Sequence, residues 1–403
     1  MRLSVYEQVD AQRIDPNGLQ PAPRHYNPSI LRYMGRTWMV YRTHIMAEKG
    51  QSLQMVRKHF VSIGRCALAI CSLDDNFKPG SNQWLDLTGP TGVEHHEDPR
   101  FFMFRGEPHL TFTQTRFYTD RPYTCVIKYA RLTLKGNRWK IAEVFWPKYG
   151  NNDNQSVEKN WAFFEHGQNL YCTYCDWPNH RVLKLDGEKV IDEWVSPAAA
   201  WEWGQIRGGT SPIPYGAKLL TFFHSSMDIE PAPFYRRYFS GAYLMNSTPP
   251  FAITDISRKP FLAGSELDGH APDPRRPDGW KPKVVFPGGC ISDGSKWLVS
   301  FGVNDWQCAI ARLTVDHLML CKPDGSDLKP RFFRCANGRN PTEIKNVDGS
   351  SRWITWQCPP ARHGSLPEGF LKTLEVRLSE ELMELRGVVE TTESEYRSAI
   401  RNL

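Results

Sequence analysis

Apolar and polar residues alternate with a period of two along most of the chain, from residue 28 to about residue 357. Such alternation is typical of β-strands, because successive side chains of a strand point to opposite faces of its sheet. The alternating runs are short, and turn signals such as FRGEP, LKGNRW and SDGSKW bound them. Helical periodicity is absent from this span, so we predict an all-β fold. The strand candidates are RTWMVYRTHI, CALAICSL, RFFMFRGEPHLTFTQT, TCVIKYARLTL, NLYCTYC, HRVLKL, AKLLTFFHSS, YFSGAYLMN, KWLVSFGVN and CAIARLTV.

These strands recur in similar groups along the chain. Near residues 37, 108, 169, 217 and 296, a short polar turn leads into an aromatic-rich strand, namely TWMVYR, PHLTFT, NLYCTY, AKLLTFF and KWLVSF. Five recurrences over some 300 residues correspond to units of about 60 residues, which suits a propeller blade with long loops. The groups therefore support a β-propeller, with a sandwich and a barrel as the alternatives.

Charge and cysteine usage limit the partners and the compartment that we expect. The formal net charge is only +6 in 403 residues, and Lys and Arg are scattered among Asp and Glu, so we expect no nucleic-acid partner. The N-terminus lacks the apolar core of a signal peptide, and no stretch approaches the ~18 apolar residues of a membrane span. Most of the ten cysteines stand singly in apolar runs, as free core thiols do. We therefore expect a cytoplasmic protein without a membrane partner.

Two further compositional features constrain the predicted function less. The chain holds fourteen Trp, fifteen Tyr and twenty-one Phe, which can build a β core or form platforms for sugar rings, and composition leaves both roles open. Cys172 and Cys175 have CxxC spacing, but no second pair stands at zinc-ribbon distance, and strand positions three apart face opposite sides. We therefore expect neither a metal site nor a cofactor.

The C-terminal segment has a different pattern. From Pro367 onward, leucines recur at helical spacing, at positions 371, 374, 378, 382 and 385. This pattern predicts an amphipathic helix packed on the flank of the β domain, or alternatively a helix through which the chain forms a homo-oligomer. The predicted organisation is an N-terminal extension over residues 1–24, a propeller over 25–357, and a linker with a C-terminal helix over 358–403.

Residues 94–100, EHHEDPR, are the most informative segment for function. Acid, base and Arg lie together in a predicted loop directly ahead of a strand, a setting in which a carboxyl pKa can be tuned. Cleavage of a glycosidic bond needs such a carboxylic acid. Taken alone, however, EDPR is equally the sequence of a charged turn, and two adjacent histidines without a third spaced ligand do not indicate a metal.

Further segments change this interpretation. In chain order they are NPSI followed by WMVYR, EDPR, EKNW, RGGTSP, FFH, PFAITDISRKPF, VVFPGG and FGVND. This set, in this order, resembles glycoside hydrolase family 130, the β-mannoside phosphorylases and β-1,2-mannosidases, over about residues 24 to 313. The resemblance implies a five-bladed β-propeller that binds an oligosaccharide at its central channel. The five strand groups agree with that number of blades.

The resemblance also implies roles for single residues. Asp98 matches the general acid, which protonates the leaving oxygen in an inverting reaction, and His224 lies where the phosphorylases place a phosphate-binding histidine. For each match the alternative is a structural role, such as a satisfied core histidine for His224, a turn cap for Asn160 or a loop brace for Asp305. The remaining matches fall in segments that hold the sugar, namely Asn27, Ser29, Arg42, Arg100, Asn160, Arg207 and Asp305.

The chain departs from the phosphorylases at two positions. Glu158-Lys159-Asn160 stands where they usually carry Asp-Arg-Asn, and Trp177-Pro178 stands where they usually carry an Arg before a Pro. Arg suits bidentate recognition of phosphate, whereas Lys offers a point charge and Trp offers none. A hydrolase instead needs a base across the sugar, with the two carboxyl groups ~6.5–9.5 Å apart. We expect Trp177 to line the pocket and Glu266 to be that base, with Asp228 and Glu230 as alternatives.

Three functions follow, in order of preference. The first is an inverting hydrolase of β-mannosides or related short glycans. The second is a β-mannoside phosphorylase that forms mannose 1-phosphate, with inorganic phosphate as co-substrate held by Lys159 and His224. The third is a propeller that binds glycans without cleaving them. Under the first two, six residues that span nearly 280 positions should converge on one pocket, namely Asn27, Asp98, Asn160, Arg207, His224 and Asp305.

Overall fold

β-Strands form nearly all of the regular structure, as the alternating pattern predicts. A computed structural model of the chain describes residues 10–14, 25–45, 54–56, 59–61, 65–87, 95–116, 118, 123–150, 152–153, 157–176, 178–199, 201, 203–228, 236–264, 284–305, 307–318, 320–323, 332–335, 343–345 and 388–391.

Within these ranges the elements are 28 strands and a 3-10 helix, Val315–Leu318. The first fourteen strands are β1 Asp10–Ile14, β2 His25–Tyr33, β3 Arg36–Ile45, β4 Gln54–Val56, β5 His59–Val61, β6 Arg65–Leu73, β7 Gln83–Leu85, β8 His95–Phe104, β9 Glu107–Arg116, β10 Thr124–Lys135, β11 Arg138–Phe145, β12 Ala162–His166, β13 Asn169–Cys175 and β14 Asn179–Asp186. The others are β15 Lys189–Pro197, β16 Gln205–Arg207, β17 Ile213–Tyr215, β18 Lys218–Asp228, β19 Arg236–Asn246, β20 Ile253–Ser257, β21 Leu262–Ala263, β22 Val285–Asp293, β23 Lys296–Val303, β24 Gln307–Leu313, β25 Leu320–Cys321, β26 Phe332–Cys335, β27 Glu343–Lys345 and β28 Val388–Thr391.

The sheets have the arrangement of an all-β propeller. Four of them are four-stranded and antiparallel, like propeller blades, with the strand orders β2-β3-β6-β7, β8-β9-β10-β11, β12-β13-β14-β15 and β22-β23-β24-β1. A larger sheet of seven strands falls between the third and fourth of these in the sequence, with the order β16-β18-β19-β20-β25 and with β17 and β21 added on β18 and β19. Two small sheets, β4-β5 and β27-β26-β28, complete the described strands.

The five recurrent segments of the sequence lie one in each of the five large sheets, in β3, β9, β13, β18 and β23. The polar turn that precedes them closes a hairpin with the preceding strand. In the turns Met34-Gly35 and Arg105-Gly106 both residues have positive φ, between 49° and 74°. Two-residue turns with this backbone match the twist of the paired strands, and glycine adopts it without a steric cost. The turn signals in the sequence thus fix where each hairpin reverses.

Hydrophobic clusters join each large sheet to the next. Aromatic residues fill several of these contacts, with Trp38 and Phe112 between the first two sheets and Phe102 stacked on Phe163 between the second and third. Two further clusters join the seven-stranded sheet to its neighbours on either side. A fifth cluster joins the last sheet to the first, through residues such as Met39 and Ile310. The inter-sheet contacts therefore form a closed cycle.

The N-terminal strand completes the last sheet. β1 pairs antiparallel with β24, with a register that runs from Asp10 opposite Arg312 to Ile14 opposite Cys308. Residues 10–14, which the sequence analysis assigns to an N-terminal extension, thus belong to the same sheet as residues 285–313. Both ends of the propeller sequence contribute to one sheet.

The C-terminal prediction lies largely outside the described residues. The predicted helix between positions 371 and 385 falls there, whereas Val388–Thr391 forms a strand that pairs with Phe332–Cys335. Over the part of the chain that the structure describes, no helix is long and apolar enough to cross a membrane. Eight cysteines whose side chains the structure describes are free thiols, and no cluster of metal-ligating side chains is found among the described residues.

Candidate active site

Three strands, each at one edge of its sheet, share an irregularity that positions the candidate residues. Their pairing with the next strand shifts register between Tyr26 and Ser29 in β2, between Glu97 and Arg100 in β8, and between Pro287 and Gly289 in β22. A proline lies in each irregular stretch, and proline cannot donate a hydrogen bond to the ladder. A bulge of this kind bends the strand and redirects the side chains beside it.

The EDPR segment was predicted to lie in a loop, and this prediction is wrong, since residues 95–104 form strand β8. Strand bulges account for the difference, because they interrupt the alternation on which the prediction depends. Asn27 and Asp98, each directly before a proline, have φ of 50° and 52°, and Asn160 has φ of 68°. Positive φ is uncommon outside glycine and concentrates at functional sites. The three residues thus share an unusual backbone as well as a predicted role.

Asp98 is held through one of its two carboxyl oxygens. The Asn27 side chain donates a hydrogen bond to Oδ1 of Asp98 at 2.8 Å, and Arg42 Nη1 lies 3.5 Å from the same atom. The side-chain contacts that the structure describes for this carboxyl group all reach Oδ1, and the residue is 6% exposed. Oδ2 therefore has no side-chain contact among the described residues.

Glu97 binds two cationic side chains at once. Its Oε1 lies 2.9 Å from Arg42 Nη2 and its Oε2 lies 3.1 Å from Lys159 Nζ. Burial of the Glu97 carboxyl favours its neutral form, but Arg42 and Lys159 outweigh this and lower its pKa to about 2. Glu97 is therefore ionised at neutral pH, between the two cations.

Arg42 and Lys159 are held in their charged forms by the same group of carboxylates. Burial lowers the pKa of Lys159, but Glu97 and Asp98 outweigh it and raise this pKa above its ordinary value. Arg42 also donates to Cys66 Sγ at 3.3 Å and lies 4.9 Å from the centre of the Tyr26 ring. This end of the site thus contains two cations in direct contact with the Glu97 carboxylate, with the Asp98 side chain beside Arg42.

Arg100 links three parts of the site from a fully buried position. Its guanidinium donates to the backbone carbonyl of Asp98 at 3.1 Å, to Asn160 Oδ1 at 3.3 Å and to the carbonyl groups of Gly208 and Gly209. Burial lowers the pKa of Arg100 to about 10. With these acceptors around it, Arg100 holds β8 to the segments after β16 and before β12, and thereby positions Asn160.

Arg207 and His224 are directly opposite each other in the β16–β18 pairing. His224 is 3% exposed, and its ring lies 4.7 Å from that of Phe286. Burial together with the positive charges of Arg207 and Arg100 lowers the pKa of His224 to about 3, and Asp98 opposes this only in part. The imidazole is therefore neutral at pH 7, and its Nδ1 has no hydrogen-bond partner among the described residues.

Ser29 and Asp305 occupy the edges of this group. The Ser29 hydroxyl is fully buried and accepts a hydrogen bond from the Phe101 backbone N–H at 2.9 Å, so it ties β2 to β8. Asp305 is half-buried with φ of 52°. Burial raises the pKa of the Tyr26 hydroxyl, Arg42 opposes this, and Asp305 adds to the increase. Asp305 is therefore near the Tyr26–Arg42 end of the site.

The contacts connect most of the predicted residues in a short network. Asn27 donates a hydrogen bond to Asp98, and Arg100 donates one to Asn160. Arg207 lies opposite His224, and the charges of Arg100 and Asp98 shift the pKa of His224. The convergence on a single pocket stays a prediction. Trp177, Glu230 and Glu266 lie outside the described residues, as does the side chain of Asp228, so the identity of the base also stays a prediction.

Sequence reasoning missed the role of Glu97. Strict alternation would place neighbouring residues 97 and 98 on opposite faces of a strand. The bulge in β8 brings both carboxylates to Arg42 instead. The proline at position 99, next to two acids and an Arg, is the signal in the sequence from which such a bulge could have been inferred.

Several solved structures share the fold of this chain. No protein-family model matches the chain, and no curated protein matches it in sequence. Among solved structures, a β-1,2-mannobiose phosphorylase from Listeria innocua, in complex with β-1,2-mannobiose, is 14% identical with a TM-score of 0.52, over 76% of this chain and 94% of that one. A second structure comes from the GH130 family of mannoside phosphorylases, which contains glycoside hydrolases that target β-1,2 mannosidic linkages in Candida mannan. It is 13% identical with a TM-score of 0.52, over 76% of this chain and 94% of that one.

The chain has the fold of glycoside hydrolase family 130. A glycosyl hydrolase from Bacteroides ovatus shares the fold as well, at 13% identity and a TM-score of 0.51, over 75% of this chain and 86% of that one. The resemblance found in the sequence is thus confirmed at the level of the family-130 fold. At these identities the comparison shows the fold and not the chemistry of the site.

Proposed function

We propose that the chain is an enzyme that cleaves β-mannosides or related short glycans, as an inverting hydrolase with Asp98 as general acid. The observation that carries the proposal is the carboxyl of Asp98, fixed at Oδ1 by Asn27 and Arg42 in a strained bulge of an inner strand. An acid held in this way can present Oδ2 to the oxygen of a leaving sugar. The family-130 fold supports the substrate class, because its solved members include enzymes that act on mannosides.

The proposal includes the architecture around the site. We count the seven-stranded sheet as the fifth blade, because it contains one of the five recurrent segments and packs against a blade on either side. The bulged strands β2, β8 and β22 are then the innermost strands of their blades. Their side chains line the central channel, and the glycan binds there.

Water is the proposed nucleophile, since three cations of the site already have carboxylate or carbonyl partners. Glu97 occupies both Arg42 and Lys159, and the guanidinium of Arg100 is buried among carbonyl groups. His224, which is neutral, can offer a hydrogen bond but no positive charge. In this proposal Glu266 activates the water on the opposite face of the sugar, as inversion requires.

A phosphorylase is the second candidate, and three observations favour it. The Lys159 side chain is 31% exposed, and Arg207 adds a further cation beside His224. A phosphorylase is also among the structures with the same fold. In that case Lys159, Arg207 and His224 would hold the phosphate co-substrate, and the product would be mannose 1-phosphate.

The deciding experiment is incubation of the chain with manno-oligosaccharides of several linkages, with and without inorganic phosphate. Free mannose released at a rate that phosphate does not change is expected for the hydrolase. Mannose 1-phosphate formed only with phosphate would select the phosphorylase. Binding of the oligosaccharides with neither product would select a glycan-binding propeller and overturn the enzymatic proposal.

A further inference from the structure

Glu158 is a buried carboxylate to which the proposed reaction assigns no step. It is 9% exposed and stands directly before Lys159 and Asn160, which belong to the site. Its Oε2 accepts a hydrogen bond from Trp161 Nε1 at 3.1 Å, and its Oε1 accepts one from the Tyr174 hydroxyl at 3.2 Å. Both of its oxygens are therefore engaged by side chains that take no part in the proposed reaction.

We propose that Glu158 is a positioning residue for the two site residues that follow it. By fixing the backbone there, it keeps Lys159 within reach of Glu97. It likewise keeps Asn160 at the hydrogen bond that Arg100 donates. The inference rests on the proposed function for its catalytic meaning, but not on the choice between water and phosphate, because Asn160 is assigned to the sugar in both cases.

The partners of Glu158 are themselves held firmly. Trp161 is fully buried in the cluster that joins the second and third sheets, and its ring lies 5.1 Å from that of Tyr174. Gly150 comes so close to the Tyr174 hydroxyl that a Cβ atom there would lie 2.9 Å from it. The backbone N–H of Glu158 also donates to the carbonyl of Cys125 on β10 at 3.0 Å. Glu158 is thus attached to two sheets at once.

The segment after Glu158 needs such an attachment. It lies outside the strands, ahead of β12, and Asn160 has φ of 68°, a conformation that persists only where the surroundings impose it. Gly208 packs so closely against the backbone of Asn160 that a Cβ atom on this glycine would have no room. Glu158 supplies a second support, two residues earlier in the chain.

The two donors that meet at Glu158 call for a carboxylate. An indole N–H and a phenol O–H each donate to it, and an ionised carboxyl group has an acceptor oxygen for each. Glutamine has a single acceptor oxygen, so its NH2 group would face one of the two donors. Removal of the charge also weakens the bond that remains, because hydrogen bonds to ionised groups are the stronger ones. Glu158→Gln should therefore loosen the segment while it keeps the volume of the side chain.

The first test is the reactivity of the Lys159 amine in the full chain, measured by timed acetylation with an N-hydroxysuccinimide ester and mass spectrometry. The pairing with Glu97 keeps this amine protonated, and only the free amine reacts. Released from Glu97, the amine would return to its ordinary pKa, and a pKa lower by one gives about ten times as much free amine. We expect Lys159 to react about 3–10-fold faster in Glu158→Gln and in Tyr174→Phe than in wild type.

Lys218 is the reference amine in the same molecule. It is also ion-paired, 2.6 Å from Asp255, and its side chain is 38% exposed, against 31% for Lys159. Its rate of acetylation should be the same in all these proteins. An equal rise at both lysines would show a general loosening of the fold and overturn the proposal, as would an unchanged Lys159 rate in folded Glu158→Gln.

Tyr129→Phe is the matched control for Tyr174→Phe. The Tyr129 hydroxyl donates to the backbone carbonyl of Gly187 at 2.9 Å, so this variant loses a hydrogen bond without touching Glu158. Its Lys159 amine should react at the wild-type rate. A rise as large as that in Tyr174→Phe would count against a specific role of the carboxylate and overturn the proposal.

The second test is a double-mutant cycle on the turnover of a manno-oligosaccharide. If Glu158 acts through the residues after it, Glu158→Gln should lower kcat/KM about 10-fold in the wild-type chain and less than about 3-fold in Asn160→Ala. A residue that only stabilises the fold would cause the same relative loss in both backgrounds, and that result would overturn the proposal. Glu143→Gln, at a position on β11 where the side chain is 53% exposed, changes the net charge equally and should keep the wild-type kcat/KM.

The acetylation assay contains no sugar. A chain that cleaves no glycan but shows the expected rise at Lys159 would refute the proposed function and leave the positioning role of Glu158 standing.

Discussion

Asp98 is the single residue on which the proposed chemistry depends most. Asp98→Asn keeps the size of the side chain but removes the acidic proton of Oδ2, so we expect turnover of a manno-oligosaccharide to fall about 10²–10⁴-fold. The loss should appear in kcat more than in KM, because the sugar contacts remain. Steady-state kinetics at the pH optimum measures both constants.

Asp293→Asn is the control for this prediction. Asp293 lies at the end of β22, with its side chain 35% exposed and 3.4 Å from Arg32. The rate of this variant should match that of wild type. Wild-type turnover in Asp98→Asn would remove Asp98 from the role of acid.

His224 makes the stability of the chain depend on pH. Its pKa is about 3 in the folded chain, against an ordinary value of 6.5. Between these values the unfolded chain binds a proton that the folded chain does not, so stability present above pH 6.5 is lost as the pH falls. One such proton contributes a slope of up to about 1.4 kcal/mol per pH unit. Glu97 acts in the same direction, but only as the pH falls from 4.5 to about 2.

Urea unfolding at several pH values between 7 and 5 isolates the contribution of His224. The free energy of unfolding should fall less steeply with acidification in His224→Gln than in wild type. Gln168→Asn, in the turn between β12 and β13, removes no titratable group; it is the comparison variant and should keep the wild-type slope. Equal slopes in all three proteins would contradict a neutral buried His224.

At the scale of strands, the sequence predicts the buried elements well and the outer ones poorly. RTWMVYRTHI and NLYCTYC coincide with β3 and β13, because apolar alternation and glycine turns define both ends. The outer strands β11 and β15 were not among the candidates. Most of their side chains are solvent-exposed and three in each strand are charged, so the apolar alternation in them is weak. The bulges were missed for a different reason, since they interrupt the alternation and only the prolines in them mark their positions.

The contact between β2 and β23 offers a test at the same scale. A Cβ atom on Gly302 would lie 2.0 Å from Asn27 Oδ1 and 2.8 Å from its backbone nitrogen. Gly302→Ala should therefore displace Asn27, which holds Asp98, and should destabilise the chain by about 1–3 kcal/mol. Urea unfolding measures the free energy of unfolding and steady-state kinetics measures kcat. Both quantities should be lower than in wild type.

Gly80→Ala is the matched control for that contact. A Cβ atom there would meet the hydroxyl of Ser72 first, at 2.7 Å, and a serine side chain can rotate away. This variant should keep its activity. If Gly302→Ala is as stable and as active as Gly80→Ala, the close approach of β23 does not support Asn27.

At the scale of the whole molecule, the candidate site is brought together only by the fold. Asn27, Asp98 and His224 belong to three different sheets, and no local pattern in the sequence connects them. These residues could be proposed together because the eight segments, in their order along the chain, resemble glycoside hydrolase family 130. The charge network around Glu97 could not be inferred in that way, because it depends on the distances among side chains from β3, β8 and the segment before β12.

The pairing of β1 with β24 predicts a difference between two adjacent substitutions. Neighbouring N–H groups of an edge strand point to opposite sides, so only one of Gln12 and Arg13 donates to β24. Proline removes that donor. Of Gln12→Pro and Arg13→Pro, one should lower the free energy of unfolding by about 1–3 kcal/mol more than the other. Equal stability of the two variants and wild type would show that β1 does not contribute to the sheet in solution.

The same pairing has a consequence for synthesis. Strand β1 leaves the ribosome before its partner β24, which ends at residue 313, some 300 residues later. At about 5–20 residues per second this delay is on the order of 15–60 s. Throughout that interval the backbone N–H and C=O groups of β1 have no partner in β24, and they can pair with a strand of another protein. The newborn chain is therefore most prone to aggregate before translation has reached its last blade.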